Sequence, residues 1–306
     1  MEDSISWEEA VRWYRRQPGN EVSVRANYFD LPVLPAARRF AESEEFLEMA
    51  RILGPGKGRR VLDLGAGHGV TSYALAADGW QVVALEPDPS REVGYGAIEE
   101  WQRETNLPVS IIENPTVPFP LPDASMDAVV ARQVLHHLPD LREGMRELAR
   151  VLKPGGAILT TRDHIADDEE QLRQFLAGHP LQHLYGGENA HPLGEYLASF
   201  CEAGLELVEV WGPLENILNF YPGTEEARRR EVKRLTEVKA SLLQKLRLKL
   251  PSVRRRALRE VTWKDRSPGR IYSILARKPR LPQPVDALHA AAAAWLPPRR
   301  RSKRTP

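Results

Sequence analysis

Three glycines alternate with other residues directly behind a short apolar run, in the stretch VLDLGAGHGV. A turn of this composition lets a ligand approach the main chain closely, and a helix beginning there offers unpaired N–H groups to an anion. A dinucleotide fingerprint that starts at Gly65 needs Gly or Ala at position 70, where this chain has Val70. The third glycine comes one residue early, at Gly69. The chain also lacks the Gly-Lys-Ser/Thr sequence of a nucleoside triphosphate loop.

Histidines form a second group of candidate reactive residues. His136 and His137 follow an apolar segment in RQVLHHLPD, and His164 follows another in TTRDH. A neutral imidazole near pH 7 accepts a proton or orients an acceptor, so each is a candidate general base. For the pair, the alternative is packing beneath a bound ligand. For His164, the alternative is a solvent-facing position in a loop.

Three further histidines lie in HPLQHLYGGENAHP, residues 179–192. No pair among them has the i, i+4 spacing of metal ligands on a predicted helix, so no metal site is expected. The Gly-Gly hinge favours a loop that lines a pocket or covers it, with a plain surface loop as the alternative. The single cysteine, Cys201, excludes a multi-cysteine metal site and an internal disulfide.

The elements that position these residues alternate between strand and helix, which is typical of a parallel sheet. Predicted helices include Val70–Ala77, Ser90–Thr105 and Leu141–Leu152, and the KPGG sequence after the last of these predicts a stop and turn. The predicted strands are Arg60–Leu64, Gln81–Glu86, Val109–Ile112, Asp127–Ala131, Ala157–Thr161, Leu205–Trp211 and Gly269–Arg277. Together they predict an α/β domain with a doubly wound, seven-stranded, mostly parallel sheet.

The rest of the chain is predicted to be helical or disordered. Two stretches with helical spacing precede the sheet, SWEEAVRWYRRQ and PVLPAARRFAESEEFLEMARIL. An apolar stripe from Val232 to Leu250 predicts one long basic helix before the last strand. The expected organisation is N-terminal helices covering the cleft at 1–58, the α/β core at 59–212, a basic helical cap at 213–268, the last strand at 269–279, and a mostly disordered tail at 280–306.

In their order along the chain, these motifs resemble those of the class I S-adenosylmethionine-dependent methyltransferase family, particularly its small-molecule branch. The matching features are VLDLGAGHG, Glu86 at the end of the second strand, PLPDASMDAVVARQVLHHL, LREGMRELARVL and KPGGAILTT. The resemblance covers about Arg60 to Trp211 and the last strand. It implies a Rossmann-like methyltransferase fold and S-adenosylmethionine as the cofactor.

The same resemblance implies a set of cofactor contacts. The three glycines would clear space for the methionine part of the cofactor, and Asp63 would reach its ammonium group directly or through water. Glu86 would accept hydrogen bonds from both ribose hydroxyls. The family usually has an acid near the adenine amino group, where this chain has Asn114, with Glu113 as the competing candidate. The expected cofactor-binding residues are Asp63, Gly65, Ala66, Gly67, Gly69, Glu86, Asn114 and Arg132, with Arg132 contributing through its main chain.

Charge is unevenly distributed along the chain. The formal net charge is only +1, yet the segment from Thr224 onward is strongly basic and the remainder is acidic. We expect the basic helix to cap the catalytic domain. An anionic membrane surface is a possible partner, and nucleic acid is disfavoured because RQVL stands where base amino methylation uses an N-P-P-Y type motif. The acidic N-terminus lacks the order of a signal peptide, so a cytoplasmic protein is expected.

The expected activity is transfer of a methyl group from S-adenosylmethionine to a small-molecule acceptor by in-line displacement. His136, His137 and His164 are the candidate catalytic residues, and the identity of the acceptor and the oligomeric state stay open. One alternative is a methyltransferase that takes a lipid-like or nucleic-acid acceptor through the basic C-terminal segment. The other is a scaffold that binds S-adenosylmethionine without turnover.

Overall fold

The structure is a computed structural model that describes residues 5–113, 117–220, 222–237, 247–248 and 250–297. Its centre is a seven-stranded sheet with the order β3-β2-β1-β4-β5-β7-β6. The strands are β1 Arg60–Leu64, β2 Gln81–Leu85, β3 Val109–Ile112, β4 Met126–Arg132, β5 Leu152–Ile165, β6 Glu206–Trp211 and β7 Arg270–Arg277. The first five strands run parallel, and β7 is antiparallel to both of its neighbours. The predicted mostly parallel, doubly wound sheet is confirmed.

Helices cover both faces of this sheet. Before it lie α1 Trp7–Arg16, α2 Glu21–Ala26, α3 Val33–Ala41 and α4 Glu44–Leu53. Within the alternating region lie α5 Val70–Ala77, α6 Tyr95–Thr105, α7 Leu141–Val151, α8 Glu169–Gly178, α9 Gln182–Tyr185 and α10 Leu193–Glu202. The later helices are α11 Glu225–Glu237, α12 Pro251–Thr262 and α13 Val285–Ala292.

Side chains of β1 alternate between two cores, as the pleat of a strand requires. Val61 packs with residues of α3, α4, α5 and α6 on one face, whereas Leu62 and Leu64 pack with residues of α7 and α10 on the other. Because β1 and β4 are buried on both faces, they read as nearly continuous apolar runs. Among the described residues, no helix has the length and apolar character needed to cross a membrane.

Some predicted boundaries were wrong. The second N-terminal stretch forms two helices because Ser43 accepts a hydrogen bond from the Phe46 N–H and caps α4. The KPGG sequence lies inside β5, where the Gly155 N–H donates to the Lys278 carbonyl and the Lys278 N–H donates to the Gly156 carbonyl. These bonds continue the pairing of β5 with the chain after β7 through the position where a turn was expected.

The basic segment and the tail also differ from expectation. The predicted long helix is described only as α11, since residues 238–246 lie outside the described residues, and a second helix, α12, begins at Pro251. The tail was expected to be disordered, but α13 forms in it and buries Leu288 and Ala292. These two side chains pack against Cys201. This contact with the core holds α13 in place, and the composition of the tail did not indicate it. Residues 298–306 lie outside the described residues.

Candidate functional site

The turn after β1 is shaped by its glycines. Gly65, Gly67 and Gly69 have φ values of +61°, +53° and +77°, a region that residues with a side chain rarely adopt. A Cβ on Gly65 would lie 2.7 Å from Val134 Cγ2, and a Cβ on Gly69 would lie 2.6 Å from Ile98 Cγ1. Gly65 and Gly69 are therefore required by packing within the chain, in addition to any space that they leave for a ligand.

Asp63 lies at the base of this turn. Its side chain is 1% exposed and accepts a hydrogen bond from Ser72 Oγ at 2.6 Å. Burial raises the pKa of Asp63 to about 7, against the lowering effect of Ser72, and the neighbouring Glu86 carboxylate adds to the increase. A cation placed beside Asp63 would favour the ionised form.

Glu86 directly follows β2 and its side chain is also buried. Oε2 accepts from the Gly67 N–H at 2.7 Å, and Oε1 accepts from the Asp88 N–H at 2.9 Å. Burial raises the pKa of Glu86, and the two backbone hydrogen bonds partly oppose that increase. Each carboxylate oxygen has a second lone pair, so the group is held against the glycine turn and can still accept from a ligand.

The side chain of Arg132 packs against α4. Its Nε and Nη2 donate to the two oxygens of Glu45 at 2.7 and 3.2 Å, and the Glu45 side chain is fully buried. The guanidinium also lies over the rings of Phe40 and Tyr28, 5.3 and 5.8 Å from their centroids. The Arg132–Glu45 ion pair fixes α4 to the end of β4.

Asn114, the predicted adenine contact, lies outside the described residues.

A cavity of about 220 Å³ connects the glycine turn with the predicted histidines. Asp63 and the four residues 65–68 line one end, and His136, His137 and His164 line the other. Trp7 and Tyr14 of α1 form part of the wall, as do His179, Pro180, Leu181 and Glu188. Of the described residues, neither Glu86 nor any part of the 213–268 segment lines this cavity.

A larger groove of about 690 Å³ lies between α11 and α12. Its charged lining residues include Glu225, which forms ion pairs with both Arg228 and Arg229. The smaller cavity is the stronger candidate for chemistry, because it contains buried carboxylates and imidazoles at the carboxyl ends of the parallel strands.

His136 is buried at the far end of the cavity. Its Nδ1 lies 3.1 Å from Asp163 Oδ1, which also accepts the Leu135 N–H at 2.9 Å. Because Oδ1 already accepts from a backbone N–H, we assign the proton to His136 Nδ1 and the lone pair to Nε2. Burial and the nearby His137 lower the pKa of His136 to about 3, and burial raises the pKa of Asp163 to about 7.

His137 and His164 are oriented in the same way. His137 Nδ1 lies 2.9 Å from the Gly187 carbonyl oxygen, and His164 Nδ1 lies 2.8 Å from that of Gly269. A carbonyl oxygen only accepts, so in each neutral ring Nδ1 carries the hydrogen and Nε2 carries the lone pair. Burial and the neighbouring His136 lower the pKa of His164 to about 4.

The segment 179–188 places a carboxylate among these rings. The Glu188 side chain is 6% exposed, and its Oε1 accepts from the Tyr185 hydroxyl and lies 3.6 Å from His179 Nε2. Oε2 lies 3.8 Å from His136 Nε2 and 3.9 Å from His137 Nε2. Although burial opposes ionisation, His137, Tyr185, His179 and His136 hold the pKa of Glu188 below its ordinary value.

The three histidines named from the sequence lie together. The ring centroids of His136 and His137 are 4.2 Å apart, and those of His136 and His164 are 5.0 Å apart. Glu188 was not among the predicted site residues. The histidine-rich segment and its Gly-Gly turn marked the loop, but no local pattern shows that Glu188 faces two rings about fifty positions earlier in the chain.

Comparisons with known proteins match the part of the chain that forms the α/β core. A family model described as a methyltransferase domain matches residues 62–160, from β1 into β5. An uncharacterized methyltransferase, YcgJ of Bacillus subtilis, is 34% identical over 137 residues, which cover 45% of this chain and 53% of that protein. Demethylmenaquinone methyltransferase of Clavibacter sepedonicus is 39% identical over 110 residues, which cover 36% of this chain and 43% of that protein. The chain thus spans about half the length of the curated relatives it matches.

Among solved structures, geranyl diphosphate C-methyltransferase from Streptomyces coelicolor has the same fold. Its TM-score is 0.52 at 15% identity, and the match covers 89% of this chain and 97% of that one. The fold is the one found in α/β methyltransferases, and residues 62–160 match a methyltransferase domain. In this domain match and in its fold, the chain resembles the class I S-adenosylmethionine-dependent methyltransferase family.

Proposed function

We propose that this chain binds S-adenosylmethionine and transfers its methyl group to a small-molecule acceptor. The observation that carries the proposal is one cavity with the glycine turn and Asp63 at one end and the imidazoles of His137 and His164 at the other. In the family, the cofactor lies at the first strand-to-helix turn. An acceptor in the remaining space would lie between the cofactor and the imidazoles.

The residues at the glycine turn suit a cofactor with positive charge. Burial raises the pKa values of both Asp63 and Glu86, and the Glu86 carboxylate adds to the increase at Asp63. The ammonium and sulfonium groups of S-adenosylmethionine supply positive charge, and its ribose hydroxyls are donors for the remaining lone pairs of Glu86. The donor set therefore fits this cofactor.

When bound, S-adenosylmethionine supplies an activated methyl group: the acceptor's lone pair bonds to the methyl carbon, and the electron pair of the breaking C–S bond stays on sulfur. The chain's main contribution is alignment, which provides about 7–11 kcal/mol for well-oriented reactants. His164 Nε2, with its ring fixed by the Gly269 carbonyl, is positioned to accept the proton of a hydroxyl or amine acceptor. Such a base adds about 10²–10⁴-fold.

A small acceptor is supported by the cavity walls and by the charges on α11. Trp7, Tyr14 and four residues of the segment 179–188 line a cavity of only about 220 Å³, a size that suits a small acceptor better than a polymer. The four arginines of α11 that follow its first turn each pair with a glutamate of the same helix: Arg228, Arg229, Arg230 and Arg234. On α11, these pairs reduce the charge available to phosphate groups, which favours a small acceptor over nucleic acid or lipid at this helix.

Calorimetric titration of the full chain with S-adenosylhomocysteine tests cofactor binding. A hydrogen bond to a charged group contributes about 1.5–3 kcal/mol, so Glu86→Ala should raise the Kd about 10- to 150-fold. The matched control is Glu99→Ala, which removes an exposed carboxylate on α6 and should leave the Kd unchanged. An unchanged Kd in Glu86→Ala would contradict the assigned contact.

Turnover is tested separately with methyl-labelled S-adenosylmethionine and a panel of hydroxyl, amine and carbon acceptors. Transfer of label to a small compound supports the proposal. Tight binding of S-adenosylhomocysteine without transfer to any acceptor would favour a non-catalytic scaffold, and transfer only to lipid or RNA would assign the acceptor to another class.

A further inference from the structure

Three possible metal ligands meet where the cavity reaches the histidines. They are His136 Nε2, His137 Nε2 and an oxygen of Glu188, and the three atoms lie within 4.8 Å of one another. His136 and Glu188 are almost fully buried, while the His137 side chain is 38% exposed. Two imidazoles and a carboxylate form a ligand set used by divalent transition metals, including catalytic Zn²⁺.

Hydrogen bonds outside this group orient both rings. His136 Nδ1 donates to Asp163, and His137 Nδ1 donates to the Gly187 carbonyl, so both Nε2 lone pairs point toward the shared space. Metal-binding histidines characteristically donate their other ring N–H to a carboxylate or a backbone carbonyl. The chain therefore provides the outer hydrogen bonds as well as the three ligand atoms.

Glu188 divides its two oxygens between different partners. Oε1 accepts from the Tyr185 hydroxyl and lies near His179, which leaves Oε2 facing His136 and His137. The distances from Oε2 to the two Nε2 atoms, 3.8 and 3.9 Å, are too long for hydrogen bonds. In the assigned tautomers, three lone-pair atoms thus face one another without a hydrogen between them, an arrangement that a cation stabilises.

We propose that His136, His137 and Glu188 bind one divalent transition-metal ion of the Zn²⁺ type. Metal–donor distances of about 2.0–2.1 Å correspond to donor separations of about 3.3 Å in a tetrahedron, so Glu188 Oε2 and each Nε2 need to approach by about half an ångström. Three protein ligands leave a position open toward the cavity, as in catalytic zinc sites. The ion would hold an oxygen or nitrogen of the acceptor there. This role rests on the proposed methyl transfer, but the binding of the metal does not depend on it.

Cobalt provides a direct test, because Co²⁺ bound by nitrogen and oxygen ligands absorbs visible light. The full chain is freed of metal with a chelator and titrated with Co²⁺ by absorption spectroscopy and with Zn²⁺ by calorimetry. One ion should bind per chain, and Zn²⁺ should displace Co²⁺ while Mg²⁺, which prefers oxygen ligands, should not. Glu188→Gln and His137→Ala should each weaken binding by at least about tenfold, since loss of an outer partner alone costs about 10- to 100-fold.

The matched control is His183→Ala in the same segment. His183 is exposed and contacts the Trp13 ring, so its loss should leave metal affinity unchanged. Thermal melting of each variant checks that the fold is retained, and the partly exposed His137 provides a second variant if Glu188→Gln fails to fold. No metal binding, or equal affinity in the wild type, Glu188→Gln and His137→Ala, would overturn the site.

Titration of the same samples with S-adenosylhomocysteine separates this proposal from the function. Metal binding without S-adenosylhomocysteine binding would sustain the metal site and reject the proposed cofactor. S-adenosylhomocysteine binding without metal binding would reject the metal site and leave the methyltransferase proposal standing.

Discussion

The two ends of the cavity are constructed differently. The glycine end uses consecutive elements, the end of β1, its glycine turn and the start of α5. The histidine end combines side chains from three separate places, the end of β4, the end of β5 and the segment 179–188. Local backbone conformation therefore determines the first end, whereas the second depends on how distant segments pack.

Arg132 ends β4 and lines the same cavity, and its loss should have the largest effect on stability. Arg132→Met leaves the fully buried Glu45 without its cation, which should lower the free energy of unfolding by about 3–5 kcal/mol. Urea denaturation measures this change. The control Arg51→Met removes a cation that is 68% exposed from Glu48 and should cost about 0–1 kcal/mol. Equal costs in the two variants would show that the buried pair is not essential to the fold.

The glycine end should be intolerant of even one added methyl group. Gly69→Ala combines a left-handed backbone with a contact of 2.6 Å to Ile98, and should cost about 2–4 kcal/mol. Gly178→Ala is the control, because Gly178 has no neighbour within 4 Å of the added atom and no positive φ. Urea denaturation should show little change in that variant. A neutral Gly69→Ala would mean that α6 adjusts to accommodate the methyl group.

A smaller effect should appear in the pH dependence of cofactor binding. Since the pKa of Asp63 is raised to about 7, its carboxylate is increasingly protonated below that pH and attracts a cationic ligand less. The affinity for S-adenosylmethionine should fall by up to about tenfold per pH unit below pH 7 and level off above it. Calorimetry from pH 5.5 to 8 measures this slope, and Asp63→Asn should remove the part that comes from this group.

Folding stability should show the linked change. An unfolded Asp ionises near pH 4, so between about pH 4 and pH 7 the folded state binds more protons at Asp63 than the unfolded state does. The free energy of unfolding therefore receives a contribution that declines as pH rises through this window. If the slope persists unchanged in Asp63→Asn, the assignment to this carboxylate is wrong.

The glycine end was largely predictable because its signals are local. The range Arg60–Leu64 was predicted as a strand and is β1, and α5 begins at Val70 as expected. The next helix was predicted from Ser90 but begins at Tyr95. A Cβ on Gly94 would lie 2.1 Å from the Asp88 carbonyl oxygen, so the chain folds back on itself before α6 begins. Helical periodicity does not reveal a backbone contact of that kind.

Only some residues of the histidine end could be predicted from the sequence. His136, His137 and His164 follow predicted strands, and the carboxyl ends of parallel strands share one edge of the sheet. Glu188 belongs to a segment without such a constraint, because its position depends on contacts of Tyr185 with Trp7 and of Leu184 with Ile5. The sequence therefore indicated the imidazoles but not the carboxylate between them.

The helix at the end of the described chain, α13, lies over Cys201, the chain's single thiol, through Leu288 and Ala292. A thiol reagent therefore reaches sulfur only when this covering helix lifts away or the domain opens. The rate of covalent labelling at Cys201 would thus report how often the C-terminal segment detaches, with no added probe and no other cysteine to contribute background.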